Sequence, residues 1–276
     1  GSTVFSNTGP LRFGDDGADS LVFSGGVDAS TSAGRTLAGS IRADTGALIL
    51  GASTLTAATA LVADEVDITG ALTGAFPLSI AQATNVPLVV NQTTQAVGQL
   101  DITRAELALL TVAGVTLGNG TADGVIHSPA SPTTERLTLG RDLTLRGGTF
   151  TTTAGNTTIA VGDRTLTLQV DALNGGGDNL RLATTSGQVV FDNGAAGTQI
   201  SVTDPTATIF LHTIGVQDPA TVVADDIVFN GPVLGTERLA LLPLTDGLDV
   251  TLGGTSGNFV SAGGTTFGNF DGELSV

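Results

Sequence analysis

Apolar residues recur at every second position over short stretches of this chain. Leu137, Leu139, Leu143 and Leu145 in RLTLGRDLTL, Leu166 and Leu168 in TLTL, Leu180 and Leu182 in NLRL, and Ile200 and Val202 in ISV all follow the rule. A period of two sends successive side chains to opposite faces, so each stretch predicts a short β-strand with one buried face. Between the stretches stand Gly147-Gly148, Asn174 with Gly175 to Gly177, Asn193-Gly194, Asn230-Gly231 and Gly253-Gly254. Glycine and asparagine tolerate the positive φ of sharp corners, and corners are expected there.

The pattern returns along the chain. VDITGALTGAFPLSI from Val66 aligns without gaps on IVFNGPVLGTERLAL from Ile227, with glycine at the fifth and ninth places and apolar residues at the first, third, seventh, thirteenth and fifteenth. VVFDNGAAGTQISV from Val189 is a looser third copy, and TERLTL at 134–139 comes back as TERLAL at 236–241. The offsets lie near whole multiples of roughly 20 residues, the short end of solenoid periods.

Composition narrows the architecture. Apolar residues make up 41% of the 276, yet aromatics only 4%, all of them Phe. β-Sandwich cores commonly rest on a buried Trp or a corner Tyr, and neither residue occurs. A parallel β-helix instead fills a narrow interior with ladders of small aliphatic side chains, leaving little room for aromatics. The expected fold is therefore all-β: a right-handed parallel β-helix, or β-solenoid, of short strands with Gly, Asn and Asp corners. It is read as a single elongated segment over residues 1–276, part of a longer repetitive protein. The chain opens Gly1-Ser2 without a methionine, as a processed piece would, and a signal peptide could have been lost upstream.

Charge excludes some partners. A net charge of −16, from 26 acidic and 10 basic residues, repels nucleic acid and anionic membrane surfaces. Residues 68–100 carry no charge at all, but Pro77, Pro87, Gly70 and Gly74 interrupt any helix, so no membrane span is expected. Most of the acids are Asp, which suits turns and divalent cations better than helix surfaces. Without Cys or Lys, neither disulfides nor lysine isopeptide bonds can staple the chain.

The segments LRLATTSGQVVFDNGAAGT, DDIVFNGPVLGTERLALLPL and LDVTLGGTSGNF resemble the β-strand repeats of giant bacterial surface proteins related to the filamentous haemagglutinins. The resemblance is spread over most of the chain and rests on degenerate motifs. It implies an exported structural or adhesive shaft segment of a bacterial cell-surface or secreted fibre, with no active site and no required cofactor. Its partners would be neighbouring solenoid repeats, copies of itself, or cell-surface and extracellular-matrix ligands.

One stretch carries candidate chemistry. GDDGADSLVF at 14–23 reads as a calcium turn leading into a strand, an acidic catalytic cluster, or a solvated loop. GDDGADSLV resembles the calcium-binding nonapeptide of repeat-in-toxin proteins, GGxGxDxUx, with Asp15 where the second glycine belongs. That resemblance implies a Ca²⁺ ligand set of the Asp19 carboxylate and the carbonyls of Gly14 and Gly17. Leu21 is expected to anchor the strand inside the first coil, and NGGGDNLRL around Asp178 is a poorer echo. A calcium-dependent binding or assembly module is accordingly the alternative to the shaft.

A polysaccharide-active β-helix enzyme is the third reading, and little supports it. Adjacent acids such as Asp15-Asp16 and Asp225-Asp226 point to opposite faces if they lie in strands, so neither pair forms a dyad by itself. His127, beside SPASPTTE, and His212, in IFLHTIGV, read as a loop residue and a strand residue, and no catalytic residue is assigned. Thr149, Thr151 and Thr153 share one face, as strand propensity alone accounts for.

Overall fold

The computed structural model describes residues 1–127, 137–153, 155–248, 259–261 and 266–276. The protein is all-β, 51% strand against 4% helix, and its strands pair parallel. The contacts group the chain into two units, residues 1–125 with 141–146, and 126–140 with 147–276.

In the first unit the chain visits three strand ladders in fixed order. One ladder stacks Thr3–Val4, Val27–Ala29, Leu48–Leu50 and Val66–Ile68. The second stacks Leu11–Phe13, the first halves of Arg35–Ala43 and Ser53–Val62, then Leu72–Thr73 and Leu110–Thr111. The third stacks Ser20–Phe23, the second halves of those two long strands, Leu78–Ala81, Gly114–Leu117 and the start of Asp142–Thr152. Most returns to a given ladder take roughly 20 residues, as the sequence offsets imply. The long strands serve two ladders because their register shifts between Leu37 and Gly39.

The second unit repeats the scheme. Thr157–Gly162, Leu180–Thr184, Thr208–Leu211, Asp226–Phe229 and Phe259–Ser261 form one ladder. Gln188–Phe191, Ile214–Val216, Val233–Gly235 and Asn269–Phe270 follow the first half of Thr165–Asn174 in another. The second half of Thr165–Asn174 begins the third, which continues through Thr198–Ser201, Ala220–Val223, Leu239–Leu242 and Leu274–Ser275.

The two copies of the sequence repeat fold alike. Val66, Ile68, Leu72, Leu78 and Ile80 are buried in the first copy, and Ile227, Phe229, Val233, Leu239 and Leu241 occupy the same places in the second. The ninth-place glycines both take positive φ, +145° at Gly74 and +124° at Gly235. A Cβ at either would press on the preceding rung, 2.7 Å from the Leu55 carbonyl oxygen or 2.2 Å from that of Val216, so only glycine fits.

The interior departs from expectation in one respect. Phe150, Phe191, Phe229 and Phe259 are fully buried. Phe191 is accommodated because its register partners are the smaller Leu168 and Val216, with Gly235 one rung further. In the first unit Phe5, Phe13 and Phe23, one from each ladder's first rung or its end, meet edge to face with centroids 5.2 to 6.4 Å apart. Leu21 holds the expected inward phase, but in this first rung it is only half-buried.

Corners are mostly where the glycines put them, Gly176 and Gly194 taking φ of +68° and +63°. Gly147 and Gly148 instead lie inside the strand Asp142–Thr152, because the chain runs on extended there. Gly253-Gly254 and the whole of SPASPTTE lie outside the described residues. The six-residue helix Arg104–Leu109 is capped by Thr103, and no helix among the described residues is long and apolar enough to cross a membrane.

Strand phase is directly testable. Leu239 is 0% exposed while Arg238 beside it is exposed. Leu239→Asp should cost more than about 3 kcal/mol, through the lost apolar contacts and an unpaired buried carboxylate. Arg238→Asp should stay within about 0.5 kcal/mol. Paired thermal melts compare the two, and equal losses would contradict the assigned phase.

Candidate functional site

The GDDGADSLVF stretch forms a tight turn over 14–19 leading into the strand Ser20–Phe23. Its position is fixed by the register shift of the neighbouring strand. Gly39 sits at the shift with φ +71°, and a Cβ there would lie 2.3 Å from the Asp19 carbonyl oxygen. The space it leaves lets the Ser40 N–H donate to that carbonyl at 2.7 Å.

The carboxylates converge on the turn itself. Asp19 Oδ2 accepts from the backbone N–H groups of Asp15 at 2.6 Å and Asp16 at 3.2 Å. Asp16 Oδ1 accepts from the Ala18 N–H at 2.7 Å. These bonds to Asp15 and Asp16, aided by the Arg12 charge, hold the Asp19 carboxyl below the usual aspartate range. Arg12 Nη2 approaches Asp15 at 3.5 Å, and Arg12 Nε donates to the Gly14 carbonyl at 3.0 Å.

Asp15 and Asp16 therefore do not diverge as they would in a strand. In the turn, one oxygen each from Asp15, Asp16 and Asp19 lies within 4.8 Å of the others. Of the three residues expected to bind calcium, Asp19 is at the centre of this group and Gly17 is exposed at its tip. The Gly14 carbonyl is engaged by Arg12, so a hard cation here would draw on Asp15 and Asp16 in addition to Asp19 and would compete with the guanidinium.

Other acids serve the corners. Asp64 accepts from the N–H of Thr84 at 2.8 Å and from its hydroxyl at 2.6 Å, joining successive circuits. Asp225 holds Thr245 by the same two groups, at equivalent places of the second repeat copy, whereas Asp226 accepts from the Thr208 hydroxyl at 2.8 Å. Asp178 accepts from the Gly155 N–H at 2.7 Å rather than forming a second acidic turn. His127 and His212 each follow the end of a strand, and burial, then the Arg181 charge, lowers the pKa of His212.

Glu106 was not singled out by sequence, although Thr103-Arg104-Ala105-Glu106 fits the capping-box pattern. It is 4% exposed, and its carboxylate accepts from Ile68 N–H at 2.9 Å, Gln95 Nε2 at 3.2 Å, and Thr103 N–H and hydroxyl, both at 2.8 Å. Burial raises its pKa despite these donors. The carboxylate thus clasps the helix to the strand Val66–Ile68.

Two expectations separate these acids. Glu106→Ala leaves two backbone N–H groups without their acceptor and should cost about 2 kcal/mol or more. Because the folded pKa is raised, the contribution of Glu106 is complete below about pH 4.3 and declines as pH rises through the folded value, so the loss should be larger at pH 4 than at pH 8. Asp19 has the opposite sign. Its lowered pKa contributes above about pH 3.9 and is lost in stronger acid, so melting temperatures of wild type and Asp19→Asn should converge as pH falls below that value.

Comparison with protein-family models, with curated proteins and with solved structures finds no match for this chain.

Proposed function

We propose that the chain is a non-catalytic shaft segment of a bacterial cell-surface or secreted fibre, each unit winding as a right-handed parallel β-helix. The observation that carries this reading is the repeated visit to three parallel ladders, with the same inward positions filled in both copies of the repeat. Stacking of this kind makes each circuit a template for the next, so length can be added without a new core. The Asp64–Thr84 and Asp225–Thr245 clasps show acids joining one circuit to the next. The likeness to filamentous haemagglutinin repeats points the same way, and with it an extracellular location and partners that are neighbouring repeats, further copies, or cell-surface and extracellular-matrix ligands.

Single-molecule pulling tests the shaft. A circuit of roughly 20 residues released at a time lengthens the chain by about 70 Å, and a series of such steps is expected. Release of the whole chain in one event would contradict circuit-by-circuit construction. Liberation of sugar ends from a polysaccharide would favour the enzyme instead.

The convergence of Asp15, Asp16 and Asp19 supports a second reading, a calcium-dependent assembly module. Such an open site would bind at about 10⁻⁴ to 10⁻³ M. At ten times the dissociation constant the folding equilibrium should shift about elevenfold. Wild type should then melt higher in millimolar calcium than in chelator, and Asp19→Ala should not. No shift in wild type, or the same shift in both, would leave Asp19, Gly14 and Gly17 as a purely structural turn.

A further inference from the structure

In the second unit, adjacent strands place Thr158, Arg181 and Phe210 in one outward column. The Arg181 guanidinium lies over the Phe210 ring, 4.2 Å from its centroid. Among the described residues it makes no hydrogen bond and no ion pair, in a chain of net charge −16. Stacking fixes the plane of the guanidinium and leaves its N–H edge to whatever enters from solvent.

That edge borders a cleft of about 230 Å³ lined by Asn156, Thr157, Thr158, Asn179, Arg181 and Phe210. Asn156 Oδ1 accepts from the Asn179 N–H at 3.2 Å, and Asn179 Oδ1 accepts from the Thr208 N–H at 2.6 Å. With both amide oxygens engaged, both NH₂ groups are left as donors. The Thr158 hydroxyl has no protein partner among the described residues. Among the described residues no carboxylate lines the cleft, and that of neighbouring Asp178 is turned to the Gly155 N–H. Donors dominate, so the site suits an oxyanion and not a cation.

We infer that this cleft binds a small ligand carrying one carboxylate beside hydroxyl groups, of the size and chemistry of a single sugar acid. The carboxylate meets the Arg181 fork, in the bidentate geometry that guanidinium and carboxylate share. Hydroxyls of the ligand meet the Asn156 and Asn179 amides and Thr158. Size is limited because drug-sized ligands fill roughly 300 to 1,000 Å³. The overall negative field disfavours polyanions and tolerates a single charge, which counterions screen beyond about 8 Å at physiological salt.

The inference does not depend on the shaft: it concerns one exposed face, and the pulling experiment would stand unchanged if the cleft were empty. The test is titration of the full chain with D-glucuronate, D-glucose and acetate, followed by calorimetry and by NMR of the arginine Nε–H resonances. Glucuronate should shift the Arg181 resonance and bind at least about tenfold more tightly than glucose or acetate. Arg181→Gln should lose about tenfold or more, and Arg181→Lys, which keeps the charge without the fork, should lose most of the same affinity. Circular dichroism establishes that the variants fold, and the wild-type NMR shift stands even if they do not. Equal affinity for glucose would overturn recognition of the carboxylate, and equal affinity for acetate would overturn recognition of the hydroxyls. Binding unaffected in a folded Arg181→Gln variant, or no shift in wild type, would remove the site altogether.

Discussion

The structure depends on parallel hydrogen bonding between strands that are one circuit apart. A strand such as Leu48–Leu50 has its partners in Val27–Ala29 and Val66–Ile68, neither of which it can reach through a tight turn. The backbone groups of each rung are satisfied only when the rungs before and after it are in register. Register in turn puts Val27, Leu48 and Val66 in one buried column, so hydrogen bonding and apolar burial impose the same alignment. Slipping one residue would turn Asp28, Ile49 and Asp67 inward, two carboxylates among them.

Polar side chains carry the corners that this alignment requires. Arg35, 5% exposed, donates to the carbonyls of Ala29 and Ser32 and to the Ser53 hydroxyl, which gives a buried cation neutral acceptors. Glu106 does the converse for buried donors around a six-residue helix. Aspartates at 64 and 225 bond threonines one circuit on, and Asp28 and Asp204 close local turns on Ser30 and Thr206. The acidic bias of the composition is in large part a consequence of corner building.

The two candidate sites differ in how they use charge. In the turn at 14–19 the carboxylates are occupied with backbone donors and with Arg12, so a cation would have to compete for them. At Arg181 the polar groups surplus to the fold are donors, held in place by the bonds that their own oxygens accept. Surplus hydrogen-bonding capacity, more than density of charge, distinguishes a surface prepared for a ligand.

Alternation in the sequence determined which residues face inward, from Leu166 and Leu168 to Leu239 and Leu241, because a strand's side-chain period is fixed by its backbone. The gapless repeat likewise determined that residues 66–80 and 227–241 adopt one conformation, glycine by glycine. Tertiary structure decided what lies beside what. Asp15 and Asp16 meet Asp19 because a turn, not a strand, carries them, and that turn is seated by Gly39 some twenty residues away. Arg181 finds Phe210 one rung on, across a 29-residue return that no local pattern announces. Neighbours along the chain are set by sequence spacing, but neighbours across rungs depend on the length of every loop between them, and those lengths vary while the ladder spacing does not.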